Sequence, residues 1–232
     1  MELNSKVVVI TGVSRGIGNA LVHQFLSKGC IVFGLGFTDP IIDNNQFAFY
    51  KTDIRNRSEV KASFNSILEQ SEDQIDILVN NAGVGYFGLI EDYSTEDIEN
   101  MFETNVYGTI STSQEVIPKM KNKRRGHIFN ISSIAGLDAF PQVSIYCATK
   151  HAVRGLSQSM YKELRDFGIK VTCVYPGSVK TDFFRNIDSV EANDNMLMPE
   201  DIAAMIIHAA ETPDNFHQVN LEVRPLQPKG RD

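Results

Sequence analysis

The stretch that decides the fold reads Lys6-Val7-Val8-Val9-Ile10-Thr11-Gly12-Val13-Ser14-Arg15-Gly16-Ile17-Gly18. It contains four consecutive β-branched residues without alternation, a run typical of a parallel strand that is buried on both faces. After the glycines, apolar residues at 17, 21, 22, 25 and 26 follow helical spacing. The glycines are therefore predicted to lie at a turn from a strand into a helix.

A glycine-rich turn in this position is suited to binding phosphate. Gly12 permits the tight turn, and Gly16 and Gly18 leave room for phosphate and for close packing of helix on strand. The helix that follows offers free N–H groups and a partial positive charge to a pyrophosphate. The alternative is that the glycines serve only to shape the turn. The strand–turn–helix context favours a dinucleotide site.

A second motif, Tyr146-Cys-Ala-Thr-Lys150, follows Ser133 by thirteen residues. Residues four apart on a helix share one face, so the Lys150 ammonium is expected beside the Tyr146 phenol. Positive charge favours the phenolate and is predicted to lower a pKa that is ordinarily about 10. Such a phenol can exchange a proton with a substrate oxygen. Taken alone, the motif also fits an ordinary exposed amphipathic turn.

Short apolar runs alternate with helical patterns along the chain, which indicates βαβ units and a parallel sheet. We predict strands at 6–10, 30–35, 47–51, 75–79, 126–131, 170–174 and 218–223, and helices at 16–28, 57–70, 95–121, 144–167 and 199–211. Ser94 and Pro199 are predicted helix starts. No repeat or linker divides the sequence, so residues 1–232 are expected to form one domain. Right-handed crossovers place ligands at the carboxyl ends of the strands, where the motifs lie.

The composition is that of an ordinary soluble globular protein. The chain has 232 residues, of which 42% are hydrophobic and 22% are charged. A net charge of −7 argues against nucleic acid or an anionic membrane as the main partner. The one basic run, 119–125, is predicted to cap the C-terminal end of a helix.

The cysteines and histidines predict neither a disulfide framework nor a metal site. Cys30, Cys147 and Cys173 are an odd number set among apolar neighbours, and we expect reduced thiols in the core. The five histidines show no metal-ligand spacing. Residues 1–5 lack an apolar signal region, and no apolar run approaches the length of a membrane span. We therefore expect a cytoplasmic protein.

With both motifs in view, the sequence resembles the short-chain dehydrogenase/reductase family over essentially its whole length. The family spacing Thr-Gly-x-x-x-Gly-x-Gly is present at 11–18, and further landmarks follow in order at Asp53, Asn80-Asn81-Ala82-Gly83, Asn105, Asn130-Ile-Ser-Ser133, Tyr146-x-x-x-Lys150 and Pro176-Gly177-Ser-Val-Lys-Thr181. The resemblance implies a doubly wound α/β fold of Rossmann type, with a seven-stranded, mainly parallel sheet and helices on both faces. It also implies hydride transfer between a nicotinamide cofactor and a small carbonyl or alcohol.

The resemblance further implies a catalytic group of Asn105, Ser133, Tyr146 and Lys150. Ser133 would hold the substrate oxygen against Tyr146, which would act as general acid and base. Lys150 would bind the nicotinamide ribose and lower the pKa of Tyr146, and Asn105 would position a water that links Lys150 to solvent. Ser132 is the rival substrate contact, although we expect it to face the core. Asn105 could instead be a structural helix residue.

The cofactor contacts implied by the resemblance are Gly12, Ser14, Arg15, Gly16, Ile17, Gly18, Asp53, Ile54, Asn81, Ala82, Gly83, Tyr146, Lys150, Pro176, Gly177, Val179 and Thr181. Asp53 and Ile54 would contact adenine, and Val179 and Thr181 the carboxamide. An alternative for Asp53 is an ordinary turn or helix cap. No metal is expected.

The choice between the two nicotinamide cofactors depends on the end of the second strand. An acid is expected there, about 20 residues after the glycine turn, to bind the adenosine ribose hydroxyls. Gly36 is predicted to occupy that position, and Arg15 stands at a helix start, where a cation opposes the helix dipole. We therefore expect NADP(H) to be preferred over NAD(H). Asp39 curling back to the ribose, with Arg15 merely solvated, is the alternative.

Substrate identity is predicted only as a class. The expected pocket lining is Gly85-Tyr86-Phe87, Leu137 to Val143, and Phe183-Phe184 with the segment up to Met198, where a covering lid is an open question. These largely apolar residues suggest a partly hydrophobic carbonyl or secondary alcohol. A 3-oxoacyl thioester (acyl-carrier-protein) reductase, a catalytically silent NADP-sensing regulator and a nucleotide-sugar epimerase or dehydratase are the alternatives. Relatives often pair the helices that match 95–121 and 144–167, so a homodimer or homotetramer is expected.

Overall fold

Seven parallel strands form one sheet in the computed structural model, which describes residues 2–181 and 195–227. Their order is β3-β2-β1-β4-β5-β6-β7. The strands are β1 (Val7–Thr11), β2 (Ile31–Gly36), β3 (Phe47–Lys51), β4 (Ile77–Asn80), β5 (Gly126–Ile131), β6 (Ile169–Pro176) and β7 (Asn220–Val223). The winding direction reverses between β1 and β4, and such a switch point opens a crevice at the carboxyl ends of the strands.

Helices cover both faces of this sheet. They are α1 (Gly16–Ser27), α2 (Arg57–Gln70), α3 (Thr95–Phe102), α4 (Gly108–Lys123), α5 (Ser144–Leu164) and α6 (Pro199–Glu211). Each predicted strand is present within three residues at either end, and α2 and α6 have the predicted bounds. The sequence prediction of a doubly wound α/β fold with a parallel sheet is confirmed.

Each face of the sheet has its own hydrophobic core. On one face, Leu21 and Phe25 of α1 pack with Ile202 and Ile206 of α6. On the other face, α2, α4 and α5 contribute the apolar side chains. All five residues of β1 are buried, because this central strand is covered on both sides. Full burial of one such side chain contributes roughly 1.5–3 kcal/mol, so the run at 7–11 fixes the centre of the fold.

Polar caps begin two of the predicted helices. The Ser94 hydroxyl accepts a hydrogen bond from the Asp97 N–H at 3.0 Å, and α3 starts at the next residue. The Asp201 carboxylate accepts from the Met198 N–H at 2.8 Å at the start of α6. Both contacts satisfy groups that a helix end would leave without partners. The predicted starts at Ser94 and Pro199 are confirmed.

The predicted helix 95–121 is not one continuous α-helix. A π-helical turn, Glu103–Tyr107, separates α3 from α4, and the Gly108 N–H bonds five residues back to the Glu103 carbonyl. The Thr109 hydroxyl donates to the Asn105 carbonyl at 2.9 Å. Wide turns of this kind often occur at functional sites. Here the wide turn carries Asn105, which apolar periodicity alone could not locate.

A buried polar network joins the sheet to α4 and α5. The Asn80 side-chain amide donates to Asn130 Oδ1 at 2.8 Å and to Ser113 Oγ at 3.1 Å. Thr112 Oγ1 donates to Asn80 Oδ1 at 2.6 Å, and the Asn130 amide donates to Ser157 Oγ at 2.9 Å. All five residues are buried, so every unmade bond would cost desolvation energy. The network therefore fixes both helices on β4 and β5.

The predictions about cysteines and the basic run agree with the structure. Cys30, Cys147 and Cys173 are buried and free. The basic run ends α4, and Arg124 adopts a left-handed conformation at the helix C-cap. Within residues 2–181 and 195–227, none of the helices has the length and apolarity needed to cross a bilayer. The same residues contain no cluster of three or more His, Cys, Asp or Glu side chains able to hold a metal ion.

A buried histidine cluster lies beside the amino-terminal half of β6. His127 Nε2 lies 2.8 Å from Thr172 Oγ1, and the ring stacks on Phe129 at a centroid distance of 3.8 Å. Its Nδ1 is buried without a hydrogen-bond partner among the described residues. Burial, reinforced by His217 and Lys170, holds the pKa of His127 well below its ordinary 6.5. Burial lowers the pKa of His217 as well.

Prediction for the polar network: Asn130→Ala removes the acceptor of the Asn80 amide and the donor to Ser157. The Asn80 amide and the Ser157 hydroxyl then each lose one buried hydrogen bond, and a cavity remains, so the free energy of unfolding should fall by about 2–4 kcal/mol in urea titration. Asn65→Ala, at an exposed position of α2, is the matched control and should change stability by at most about 0.5 kcal/mol. A loss of the same small size in Asn130→Ala would contradict the role given to the network.

Prediction for the histidine cluster: stability should fall as pH drops below 6.5. The folded-state pKa of His127 lies below the unfolded value, so its stabilisation is complete above 6.5 and is lost as the solution becomes more acidic. His127→Leu should reduce the slope of the unfolding free energy against pH between pH 6.5 and 5. The slope that remains is expected from His217. Urea titrations at several pH values measure this slope. An unchanged slope would contradict the assignment.

Candidate active site

A cavity of about 590 Å³ opens at the carboxyl ends of the strands. It brings together most of the predicted site residues: Gly12, Ser14, Arg15, Gly16, Ile17, Asp53, Ile54, Asn81, Ala82, Gly83, Ser133, Tyr146, Lys150, Pro176, Gly177, Val179 and Thr181. Two predicted residues do not line it. Gly18 is buried beneath the turn, and Asn105 is buried behind the wall.

The glycine-rich turn is shaped by close backbone approaches. Gly12 has a φ of +73°, and a Cβ there would lie 2.8 Å from the Ala82 Cα. A Cβ on Gly18 would lie 2.6 Å from the Asn81 side-chain nitrogen and still closer to the Gly12 carbonyl. Any larger residue at either position would have to displace backbone. The turn therefore needs glycine at both positions, as predicted.

Thr11 joins this turn to the end of β4. Its hydroxyl accepts from the N–H groups of Asn81 and Ala82, both at 3.0 Å. The Asn81 side-chain amide donates to the carbonyls of Thr11 and Gly12, also at 3.0 Å. The two loops that face the cavity are thus held as one unit.

The start of α1 is suited to an anion. Its N-cap, Arg15, makes no side-chain capping bond, and the first turn contains no acidic residue. The helix dipole and the free N–H groups there favour a negatively charged ligand. Because the glycines also leave the cradle open, the residues present fit the pyrophosphate of a dinucleotide.

Ser133 and Tyr146 meet at the floor of the cavity. Ser133 follows β5, where its Oγ accepts from the Ala135 N–H at 3.1 Å. It also forms a side-chain hydrogen bond with Tyr146, which lies in the first turn of α5. Ser132 is buried, and its hydroxyl donates to the Lys150 carbonyl at 2.9 Å. Of the two serines, Ser133 is the one that is paired with the phenol.

Lys150 lies one turn beyond Tyr146 and is 5% exposed. Its Nζ donates to the Ile131 carbonyl at 3.0 Å and lies 5.5 Å from the centroid of the Tyr146 ring. Burial lowers the pKa of Lys150 to about 8. A lysine in this state can release and regain a proton close to neutral pH.

The expected lowering of the Tyr146 pKa is wrong for this structure. Burial raises the pKa of the phenol above its ordinary value, because a phenolate loses its water there. The Ser133 hydrogen bond acts in the opposite direction but is the smaller effect. Lys150 does not compensate, since its ammonium is directed at the Ile131 carbonyl rather than at the phenol oxygen.

Asn105 braces the loop after β4. Its Oδ1 accepts from the Val84 N–H at 2.8 Å, and its amide donates to the Val84 carbonyl at 2.8 Å and to Thr149 Oγ1 at 3.0 Å. A Cβ on Gly83 would lie 3.2 Å from Asn105 Oδ1 and 3.5 Å from Lys150 Nζ. Asn105 and the Lys150 ammonium therefore face the same loop.

The end of the cavity beside β2 and β3, which we call the adenosine end, is lined by Gly36 and Asp53 but not by Asp39. Gly36 ends β2 without a side chain, and exposed Phe37 follows it in the lining. The Asp53 carboxylate forms an ion pair with Arg55 at 2.8 Å, which lowers the pKa of Asp53 through the Arg55 hydrogen bonds. Asp53 thus caps its own turn while lining the cavity. The Asp39 carboxylate accepts from the Ile41 N–H at 2.8 Å.

The opposite wall is the predicted substrate side, and only part of the prediction holds. Its lining includes Phe87 and the segment 140–143, but not Gly85, Tyr86, the segment 137–139 or the described residues 195–198. The Tyr86 hydroxyl instead accepts from the Asn100 amide, and Asp138 pairs with Arg224 at 2.7 Å. Both side chains are drawn away from the cavity by these partners.

The predicted lid falls mostly outside the described residues. Phe183, Phe184 and the rest of 182–194 belong to that undescribed range. At its far end, Leu197 pairs with Val179 in a short parallel bridge. The Lys180 N–H donates to the Leu197 carbonyl at 2.8 Å, which anchors this part of the chain beside the cavity.

Several lining residues escaped the sequence prediction. They are Phe37, Thr52, Val84, Thr104, Ile131, Ile134, Ala135 and Ser178. Each lies within three residues of a predicted landmark in the sequence. Extending each motif by its strand-end neighbours would have found most of them.

The chain is similar to known proteins over nearly all of its length. Residues 6–192 match the family model described as short chain dehydrogenase. An uncharacterised oxidoreductase of Staphylococcus aureus strain USA300 is 32% identical, with 97% of this chain and 99% of that protein covered.

Solved structures are similar as well. ElxO with NADP bound is 31% identical, with a TM-score of 0.84 and coverage of 94% of this chain and 97% of that one. Serine dehydrogenase from Escherichia coli is 28% identical, with a TM-score of 0.86 and coverage of 97% and 100%. The family model covers well over half of the sequence, and the glycine cradle and the Ser133–Tyr146–Lys150 group occupy the matched region. The chain therefore belongs to the short-chain dehydrogenase family and is an NAD(P)-dependent oxidoreductase.

Proposed function

We propose that this protein interconverts a carbonyl and a secondary alcohol with NADP(H), using Tyr146 as general acid and base. The observation that carries the proposal is the Ser133–Tyr146 hydrogen bond at the cavity floor, beside the buried Lys150 ammonium. When bound, the nicotinamide supplies or accepts the hydride. The protein's own residues then have to hold the substrate oxygen and move its proton.

The proton step follows from the state of the phenol. Burial raises the pKa of Tyr146 and keeps its proton in place, which is the form needed to protonate a developing alkoxide. Ser133 would hold the substrate oxygen against the phenol. In the reverse direction a Tyr146 phenolate, favoured by the Ser133 hydrogen bond, would take the alcohol proton.

We assign the return of a proton from solvent to Tyr146 to Lys150 and Asn105. The pKa of Lys150, lowered to about 8 by burial, suits exchange with solvent near neutral pH. Asn105 would orient a water between the amine and bulk solvent. Its hydrogen bonds to both backbone groups of Val84 fix its side chain for that task.

The preference for NADP(H) is supported at the adenosine end of the cavity. Gly36 offers no carboxylate to ribose hydroxyls, and the Asp39 carboxylate is engaged by the Ile41 N–H. Arg15 lines the same cavity and would face a 2′-phosphate. Asp53 with Ile54 would contact adenine, while Val179 and Thr181 would contact the carboxamide. A similar serine dehydrogenase structure is a complex with NADP+ and the ElxO structure holds NADP, which agrees with this preference.

The proposed substrate is a neutral, partly apolar carbonyl compound. The wall opposite the adenosine end is formed by Val84, Phe87, Phe140, Pro141, Gln142 and Val143, six uncharged residues that we call the substrate wall. A charged substituent would lose hydration against these side chains without gaining a counter-ion from them.

We also propose an assembly and a location for this protein. We expect a homodimer or homotetramer through α4 and α5, since Tyr107, just before α4, is 61% exposed and a Cβ built on Gly155 of α5 would meet open space. The three free, buried cysteines suit the cytoplasm.

Prediction for catalysis: Tyr146→Phe removes the transferable proton and preserves shape. Turnover of a carbonyl substrate should fall by about 10²–10⁴-fold, the usual contribution of general acid–base catalysis. NADPH binding, followed by coenzyme fluorescence, should stay within about threefold. Tyr161→Phe makes the same change elsewhere on α5 and should retain activity. Wild-type turnover by Tyr146→Phe would rule out the acid–base role.

Prediction for cofactor choice: Arg15→Ala should weaken NADPH binding about 10-fold or more, as expected for a lost hydrogen bond to a charged group. NADH binding should change by less than about threefold, because that cofactor lacks the 2′-phosphate. Equilibrium fluorescence titration measures both constants. Arg165→Ala, at an exposed site far from the cavity, is the control. Equal weakening of both cofactors would contradict the assignment.

A further inference from the structure

Gln142 has a backbone conformation that glycine usually occupies. Its φ is +63°, in the left-handed region, although its side chain has a Cβ. Residues held in this way concentrate at ligand sites, where the surroundings stabilise the unfavourable conformation. Gln142 lies on the substrate wall, four residues before Tyr146.

Two hydrogen-bond donors hold the Gln142 carbonyl in place. The Gly88 N–H donates to it at 2.9 Å, and the Tyr93 hydroxyl lies 3.2 Å away. The same hydroxyl lies 2.9 Å from the Tyr86 carbonyl. The segment 86–93 therefore fixes the backbone of Gln142 from the other side of the wall, and the backbone direction in turn sets where the side chain points.

The carboxamide itself is available to a ligand. Within residues 2–181 and 195–227, no hydrogen bond from the Gln142 side chain to another residue is present, and the residue is exposed to the cavity. The other five members of the substrate wall are apolar. The next residue, Val143, packs in one cluster with Phe87 and Tyr146. The amide is thus the single polar side chain of a wall that adjoins the phenol.

We propose that Gln142 is a specificity-determining residue that hydrogen-bonds a neutral polar substituent close to the reacting carbonyl. This rests on the proposed function. A carboxamide both donates and accepts, so it suits a hydroxyl or a second carbonyl. It provides no charge to balance a carboxylate. The substrate class is therefore a vicinal diketone or hydroxyketone rather than a simple ketone or a 2-oxo acid.

The test compares three six-carbon substrates with NADPH: 2,3-hexanedione, 2-hexanone and 2-oxohexanoate. The wild-type protein should have its highest kcat/KM with the diketone and its lowest with the acid. In Gln142→Gly, which suits a positive φ but lacks the amide, the ratio of kcat/KM for diketone to ketone should fall about tenfold, as for one lost hydrogen bond. The loss should appear mainly in KM.

Matched variants separate the amide from the backbone. Gln142→Ala keeps a Cβ in the left-handed conformation and should lower the ratio as Gln142→Gly does. Gln142→Asn keeps an amide in a residue that tolerates this conformation and should restore part of the ratio. Tyr93→Phe removes one of the two groups that hold the Gln142 carbonyl. It should slow the reduction of both neutral substrates similarly and leave the diketone-to-ketone ratio of kcat/KM almost unchanged.

The outcomes distinguish this inference from the proposed function. Suppose that Tyr146→Phe abolishes carbonyl reduction, while Gln142→Gly and Gln142→Ala leave the diketone-to-ketone ratio of kcat/KM unchanged. That result overturns the role of Gln142 and leaves the proposed function standing. An equal loss for both neutral substrates in these variants also overturns it, since it shows a purely structural residue. A wild-type protein that binds NADPH but reduces none of the three compounds overturns both proposals.

Discussion

The amide-to-amide hydrogen bond between Asn80 and Asn130 is the contact on which the rest of the site depends. These side chains lie at adjacent positions of β4 and β5, and their remaining bonds reach Thr112 and Ser113 on α4 and Ser157 on α5. The π-helical turn just before α4 carries Asn105, and α5 carries the phenol and the lysine. A polar network buried this deeply is costly unless it is complete, so it permits one placement of the two helices. Apolar packing alone would allow α4 and α5 to slide slightly against the sheet.

The same burial that fixes the helices sets the chemistry of the phenol. Desolvation opposes the charged form of both Tyr146 and Lys150, so it raises the pKa of the first and lowers the pKa of the second. The pair is therefore held with a protonated phenol and a weakly basic amine. Only a neighbour that stabilises the phenolate, such as the Ser133 hydroxyl, acts against this tendency. Proton donation is favoured by the protein's own structure, while proton abstraction needs further stabilisation of the anion.

Sequence reasoning located elements and motifs better than conformations. The β-branched run at 7–10 specifies its own burial, and the glycines at 12 and 18 specify a turn too tight for any other residue, so both were predictable. The π-helical turn was not, because the hydrogen bond between its Asn105 and the backbone of Val84 joins residues that are 21 positions apart in the sequence. The Tyr146 prediction failed for a related reason. Spacing on a helix brings Lys150 near the ring, but the direction of its ammonium is decided by the Ile131 carbonyl.

Long-range hydrogen bonds also connect the two ends of the cavity. Arg55, which pairs with the acid at the adenosine end, donates to Asn100 Oδ1 at 2.9 Å, and the Asn100 amide donates to the Tyr86 hydroxyl. The segment that begins at Tyr86 then reaches the Gln142 carbonyl through Tyr93. The wall facing the substrate is thus supported from the cofactor side of the cleft, through side chains that do not themselves line the cavity. Since these contacts hold the carbonyl of Gln142 in its left-handed conformation, that support would, under the role proposed for Gln142, bear on substrate selection as well as on stability.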